Sequence, residues 1–331
     1  MDRIRTTGER TRDAVSAGTA AQAREPDAAR QHAHGMAMLE AGQRERGIRS
    51  LQLAAEAFMK ALRQMDRDRD HLAWAASQQA LGKALGMLGQ RQADTDMLAR
   101  GVSALEEALA VYPDNSTPAQ QAEARHDLAT ALVSLGQLNR DTDTLARAIE
   151  TCRQALSASG DRQDSAERAR LQRVLGTALR SRGELGGDPR ELEEAVAVYQ
   201  DVLAAWTRDR APAEWAKVQN DLGAALQRLG ERRNDADVLT QAVLAYGEAL
   251  AALPREDAPL AWAMTRANLG HARRVLAERQ RSAAEAYRAV TDFEAVAGVF
   301  QELSHARYYD LAKEQLAIAR RLAADLDTPP V

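Results

Sequence analysis

Cysteine is almost missing: Cys152 is the only one in 331 residues, so no internal disulfide can form. Aromatic residues make up 4% and proline only 9 positions, which argues against β architectures. No apolar run approaches the roughly 20 residues of a membrane span, and the N-terminus carries no long apolar stretch. An excess of one charge is lacking too. Lys and Arg number 44 against 48 Asp and Glu, and the net −4 gives no strong pull toward nucleic acid or anionic membrane. A reducing, cytoplasmic setting is the resulting expectation. Lysine is scarce (Lys60, Lys83, Lys217, Lys313) where arginine abounds, as in a GC-rich bacterial genome.

Catalytic signatures are missing as well. No Gly-rich phosphate loop, Cys pair or His-Glu-x-x-His spacing occurs. His32 and His34 are two apart, which puts them on different faces of a helix. Asp94-x-Asp96, Asp141-x-Asp143 and Asp235-x-Asp237 look like pieces of a calcium loop but lack its glycine and distal glutamate, and helix capping explains them better. The expectation is therefore no enzyme, no cofactor and no metal.

What is abundant is Ala, Leu, Arg, Glu and Gln, all good helix formers, and an internal repeat. Leu81-Gly82 recurs as Leu128-Ala129, Leu175-Gly176, Leu222-Gly223 and Leu269-Gly270, always 47 residues on, with His34-Gly35 as a weaker first copy. Gly42, Gly89, Gly136, Gly183 and Gly230 keep the same step. So do Phe58, Leu105, Cys152, Tyr199, Tyr246 and Phe293, a bulky column in which Cys152 reads as a buried core thiol. Trp74, Trp215 and Trp262 share one phase with Tyr309, and packing at unit junctions is their expected role. Each unit reads as two helices. In one unit the first is expected over about 213–229, stopped by Gly230, and the second over about 236–252, with Val238, Leu239, Ala242, Val243, Tyr246, Ala249 and Leu250 as its apolar stripe. Asp94, Asp141, Asp188 and Asp235 stand where they would cap second helices, and Asp188-Pro189-Arg190-Glu191 predicts a capping box.

Leu222-Gly223, Leu226, Gly230, Ala242, Tyr246 and Pro254 together make the chain resemble the tetratricopeptide repeat family, over roughly residues 28–325. The repeat is longer than the family's 34 residues by 13, as in extended bacterial members, and the family's Trp position holds Gln78, Arg125, Gln172, Gln219 and Arg266. The resemblance implies an all-α, right-handed α-solenoid of about six helix-turn-helix repeats (28–302). A flexible or loosely helical segment (1–27) would precede it, and a C-terminal capping helix with its tail (303–331) would close it, wetted by Glu314, Arg320, Arg321 and Asp325.

The same resemblance implies that first helices line a concave face. Carried over, the exposed positions include Arg173, Arg180, Lys217, Asn220, Arg228, His271 and Arg274 toward the end of the array, and Met36, Leu39 and Met87 near its start. Such a trough would hold a protein or peptide segment with an acidic end. The competing reading pairs these cations with Glu and Asp on neighbouring helices, and makes the Met36, Leu39 and Met87 patch ordinary core or the seat of the N-terminal segment. The family's carboxylate clamp of Lys and Asn is not reproduced. Four roles follow by analogy from the fold: a scaffold or adaptor first, a ligand-sensing regulator second, an RNA-binding solenoid third, and an unrecognised enzyme last. A membrane partner is not expected, and self-association is compatible with the pattern.

Overall fold

The computed structural model describes residues 27–45, 47–112, 118–159 and 165–327. Among them there are 13 helices and no strand. The chain divides into two compact units, Met1–Asp161 and Arg162–Val331. In unit 1, α1 (27–44) pairs with α2 (Arg49–Leu62), α3 (His71–Gln92) with α4 (Thr95–Val111), and α5 (Pro118–Asn139) with α6 (Thr142–Ser159). Unit 2 pairs α7 (Ser165–Gly186) with α8 (Pro189–Ala205), α9 (Pro212–Arg233) with α10 (Ala236–Ala251), and α11 (Pro259–Gln280) with α12 (Ala283–Glu302), and ends in α13 (Ala306–Asp327). The fold is an all-α repeat array in which each hairpin packs on the next within its unit. None of the described helices is long and apolar enough to cross a membrane. The expectation of disorder or loose helix over 1–27 lies, apart from Asp27 in α1, outside the described residues.

Two interlocking columns hold each hairpin together. A Cβ on Gly176 or Gly223 would stand 2.7 or 2.8 Å from the ring of Tyr199 or Tyr246. The Leu-Gly glycine therefore exists to receive the bulky residue of the second helix. In α5/α6 the glycine is replaced by Ala129, and the bulky residue is replaced by Cys152. Both are fully buried. The methyl gained on one helix is balanced by the ring lost on the other. A second set works the same way. Cβ atoms on Gly42, Gly89, Gly136, Gly183 and Gly230 would meet Leu51, Leu98, Leu145, Leu192 and Leu239 at 2.5 to 3.0 Å. The next pair in that column is Ala277 and Ala286, again both buried.

Gly230 does not stop its helix, contrary to the expectation from sequence. α9 runs on to Arg233, and Asn234 takes the left-handed conformation at φ 56°. Gly230 instead lets Leu239 approach, while its carbonyl accepts from Asp235 N–H at 2.9 Å in a Schellman closure. The same left-handed turn recurs 47 residues apart at Ala93, Arg140, Gly187 and Arg281. The residue after each turn caps the following helix. Asp94 accepts from Met97 N–H at 3.0 Å, Asp141 from Asp143 at 3.0 Å, Asp188 from Arg190 at 2.9 Å and Asp235 from Asp237 at 2.9 Å. The reciprocal half of the predicted box is not made: Glu191 accepts instead from Arg182 Nε at 2.8 Å.

Tryptophans clamp the junctions between hairpins. Arg67 lies 5.0 Å from the Trp74 ring, Arg208 5.8 Å from Trp215, and Arg255 5.8 Å from Trp262, a cation–π contact repeated in register. Inside α11/α12 the carboxylate of Asp292 has no solvent exposure and sits between Arg266 Nε at 3.0 Å and Arg273 Nη1 at 2.7 Å. Burial pushes its pKa up, against the pull of the two guanidinium groups.

Candidate functional site

The longer helix of each hairpin is the first one, 22 residues in α3, α5, α7, α9 and α11, and the closing α13 has the same length. These first helices are linked by polar contacts with a 48-residue offset. Gln79 Nε2 donates to Asp127 at 3.3 Å, Arg173 Nη1 to Asp221 at 3.3 Å, and Asn268 Nδ2 to Asn220 Oδ1 at 3.2 Å. Asp127, Asp221 and Asn268 each precede the leucine of the Leu-Gly pair, so the repeat itself delivers a polar group to this face.

In unit 2 these residues surround a cleft of about 470 Å³. Arg180 and Glu184 come from α7, Asn220, Asp221, Gln227 and Arg228 from α9, Asn268 and His271 from α11, and Gln315 from α13, over a floor formed by Tyr246 and Phe293. Sequence reasoning placed Arg180, Asn220, Arg228 and His271 together, and the structure brings these four to one cleft. Arg173 reaches it through Asp221. Lys217 does not line it and pairs with Glu214 at 2.8 Å, and Arg274 pairs with Glu278 at 2.5 Å.

The cations of the cleft already hold carboxylates. Arg180 Nη1 donates to Glu184 at 2.6 Å, and Arg228 Nη1 to Glu231 at 2.9 Å. His271 Nε2 stands 3.6 Å from Glu231, and Gln227 Nε2 donates to the same group at 2.8 Å. Tyr246 OH donates to Gln227 Oε1 at 3.2 Å. Burial would raise the pKa of Glu231, but the His271 imidazole beside it and hydrogen bonds from Gln227 and Arg228 outweigh it and bring the group to about 2. Asp221 is shifted the other way: burial raises it, although Arg173 and Arg180 oppose the shift. Burial also raises the hydroxyls of Tyr199 and Tyr246, which stay protonated. The cleft is thus a charge-balanced network with four carboxamides, Asn220, Gln227, Asn268 and Gln315, that both donate and accept. The carboxylates Glu184, Asp221 and Glu231 were not foreseen as part of it. The polar column before the Leu-Gly pair was the signal that could have found Asp221.

In unit 1 a second cleft, of about 380 Å³, is lined by Met36, Leu39, Gln79, Lys83, Tyr112 and Asp127, among others. Lys83 Nζ lies 3.3 Å from Glu123 and 3.4 Å from Asp127, and Tyr112 OH donates to Gln79 Oε1 at 3.0 Å. Burial would lower the pKa of Lys83, but the two carboxylates outweigh it and raise it. The apolar patch expected from sequence is divided. Met36 is 39% exposed, Leu39 is core, and Met87 is half-buried against that core and lines a different, smaller hollow. Cys152 is buried, and burial pushes its thiol up to about 12, far from a reactive thiolate. Among the described residues no group of His, Cys, Asp and Glu is arranged to hold a metal ion.

No protein-family model matches this sequence, and no curated protein matches it. Solved structures resemble it at low identity. A Rap protein complexed with Competence and Sporulation Factor shows 13% identity and a TM-score of 0.42, over 89% of this chain and 75% of that one. BtubC (BKLC) from P. vanneervenii shows 19% identity and a TM-score of 0.43, over 86% of this chain and 92% of that one. The TPR2AB domain of yeast Sti1, in a complex with pHSP90, shows 14% identity and a TM-score of 0.30, over 88% of this chain and 98% of that one.

Proposed function

We propose that this chain is an interaction scaffold of the tetratricopeptide type whose unit 2 cleft holds a protein or peptide segment. The observation that carries the reading is the set of carboxamides from α9, α11 and α13 around one open cleft. An extended segment carries alternating N–H and C=O groups, and Asn220, Asn268 and Gln315 can answer both. The ion pairs supply the discrimination. An acidic group on the partner meets Arg180 and Arg228 with one N–H of each already given to Glu184 or Glu231, so it must fit their remaining N–H groups or displace those carboxylates.

Affinity capture from native extract, read by mass spectrometry, tests this with the wild type and two variants. Asn220→Ala with Asn268→Ala removes amide contacts, and Arg180→Glu with Arg228→Glu reverses the cations. Partners held in the cleft are expected to drop by about tenfold or more in both, since each lost hydrogen bond or ion pair is worth about 1–3 kcal/mol. Capture that is unchanged in both variants, with helicity intact by circular dichroism, would remove the cleft from the account.

A further inference from the structure

In one column, Met65, Tyr112, Ser159, Trp206, Leu253 and Phe300, three positions are rings, and the first junction is one of those without a ring; Met65 and Leu253 are both half-buried. Tyr112 packs among Ala75, Ala108 and Ala124, and Phe300 among the equivalent Ala263, Val296 and Ala312. These rings are plugs between successive first helices, and Tyr112, Trp206 and Phe300 are 7%, 7% and 3% exposed. At the first junction the same three wall positions are Ala28, Ala61 and Ser77, all buried, but the plug is a half-buried methionine. Met65 meets Ser77 Oγ through its sulfur at 3.8 Å. Beside it lies a cavity of about 500 Å³, lined by Ala28, Ala29, His32, Met65, Leu72 and Ala76 with five further residues. Its exposed wall is mostly apolar, with His32, Gln64, His71 and the paired Arg69 and Asp70 as the polar members, and that size and mix suit a small-molecule site.

We propose that this cavity binds a small planar aromatic molecule, of one or two rings, carrying a single hydrogen-bonding group at its edge. The ring takes the place that Tyr112, Trp206 and Phe300 fill at three of the other junctions. The edge group follows from His32. It occupies the position of Gln79, and Gln79 accepts the Tyr112 hydroxyl at 3.0 Å. His32 Nδ1 is engaged with Ser77 Oγ at 2.8 Å and its ring is tilted on Phe58 at 5.5 Å, so the imidazole is held in place with Nε2 as its second bonding atom. Burial lowers the pKa of His32, which keeps it neutral and able to accept or donate. Residues 1–26 contain no Phe, Tyr or Trp, so that segment has no ring to offer. The site is separate from the unit 2 cleft, and its failure would leave the scaffold reading untouched.

The full chain, labelled with methyl-13C methionine, tests the proposal with indole and phenol as probes. A ring-current shift of the Met65 methyl is expected on adding either one, with the resonance assigned from Met65→Leu. Met65→Trp, which copies Trp206, and Met65→Phe, which copies Phe300, are expected to weaken probe binding at least about tenfold by filling the space. A Met65 methyl that stays still with both probes overturns the proposal, as does equal binding by the filled variants. A shift produced by acetyl-Gly-Trp-Gly-amide but by neither free probe overturns it in favour of a side chain from a partner protein.

Discussion

At the scale of single residues, the two glycine columns turn into a packing rule with a measurable coupling. Cys152→Tyr restores the residue found at Tyr199 and Tyr246 but meets the methyl of Ala129, so on its own it should destabilise unit 1 by about 1–3 kcal/mol. Adding Ala129→Gly should recover most of that loss, and chemical denaturation of the four-member cycle measures the coupling. Additive effects would show that the two positions do not face each other. The left-handed turn residues make a second case. Ala93 holds φ 53° with a side chain that disfavours it, whereas Gly187 is free at the same turn. Ala93→Gly is expected to stabilise by about 0.5–1 kcal/mol, seen as a raised denaturation midpoint. Asp292 is the opposite extreme. Replacing it with Ala leaves Arg266 and Arg273 without their shared anion, and a loss of about 3–5 kcal/mol is expected.

At the scale of helices, the network that joins α9 to α11 gives stability a pH signature. The folded pKa of Glu231 is depressed to about 2 from 4.5. Its contribution is therefore complete above pH 4.5 and is lost as the pH falls toward 2. Glu231→Gln should flatten stability across that acid window while leaving its shape above it unchanged, which equilibrium unfolding at a series of pH values checks. A variant that loses stability in the acid as steeply as the parent would assign the effect to another group. The element boundaries show where sequence reading works. Helix starts were legible because Asp94, Asp141, Asp188 and Asp235 carry the capping chemistry in their side chains. Helix ends were not. The left-handed column holds Ala93, Arg140, Gly187, Asn234 and Arg281, which share a backbone shape and no chemistry. The visible Gly column, four residues earlier, drew attention because glycine commonly stops helices. Here its missing Cβ serves Leu51, Leu98, Leu145, Leu192 and Leu239 instead.

At the scale of the whole molecule, the hairpin order was legible because the packing columns recur at one phase. The candidate cleft was legible in its cations and in Asn220. Transfer of positions by repeat register found Arg180, Asn220, Arg228 and His271, because register fixes which side of a helix a residue occupies. The competing reading paired these cations with carboxylates on neighbouring helices, whereas Arg180 and Arg228 pair with Glu184 and Glu231 on their own helices, at spacings of four and three that the sequence displays. The end of unit 2 yields a further expectation. α13 lays Ala312, Leu316, Ala319 and Ala323 over a surface that includes Phe293 and Phe300. Truncation after Leu303 should expose both rings, and increased binding of a hydrophobic dye with a lower midpoint for unit 2 is the expected readout. A truncated chain with parental dye binding would show that α13 is dispensable as a cover.

The exchange of Gly for Ala129 opposite Cys152 also bears on how such a gene can shorten or lengthen. Unequal crossing-over between repeats that removes 47 codons from one inter-hairpin loop to the next deletes matched partners together and leaves every remaining hairpin with its own mate. A deletion of the same length that starts between Ala129 and Cys152 would remove Cys152, set Ala129 against Tyr199 and jam the joint. Recombination within this array is therefore expected to leave viable products when its breakpoints fall between hairpins, and to be purged when they fall inside the third.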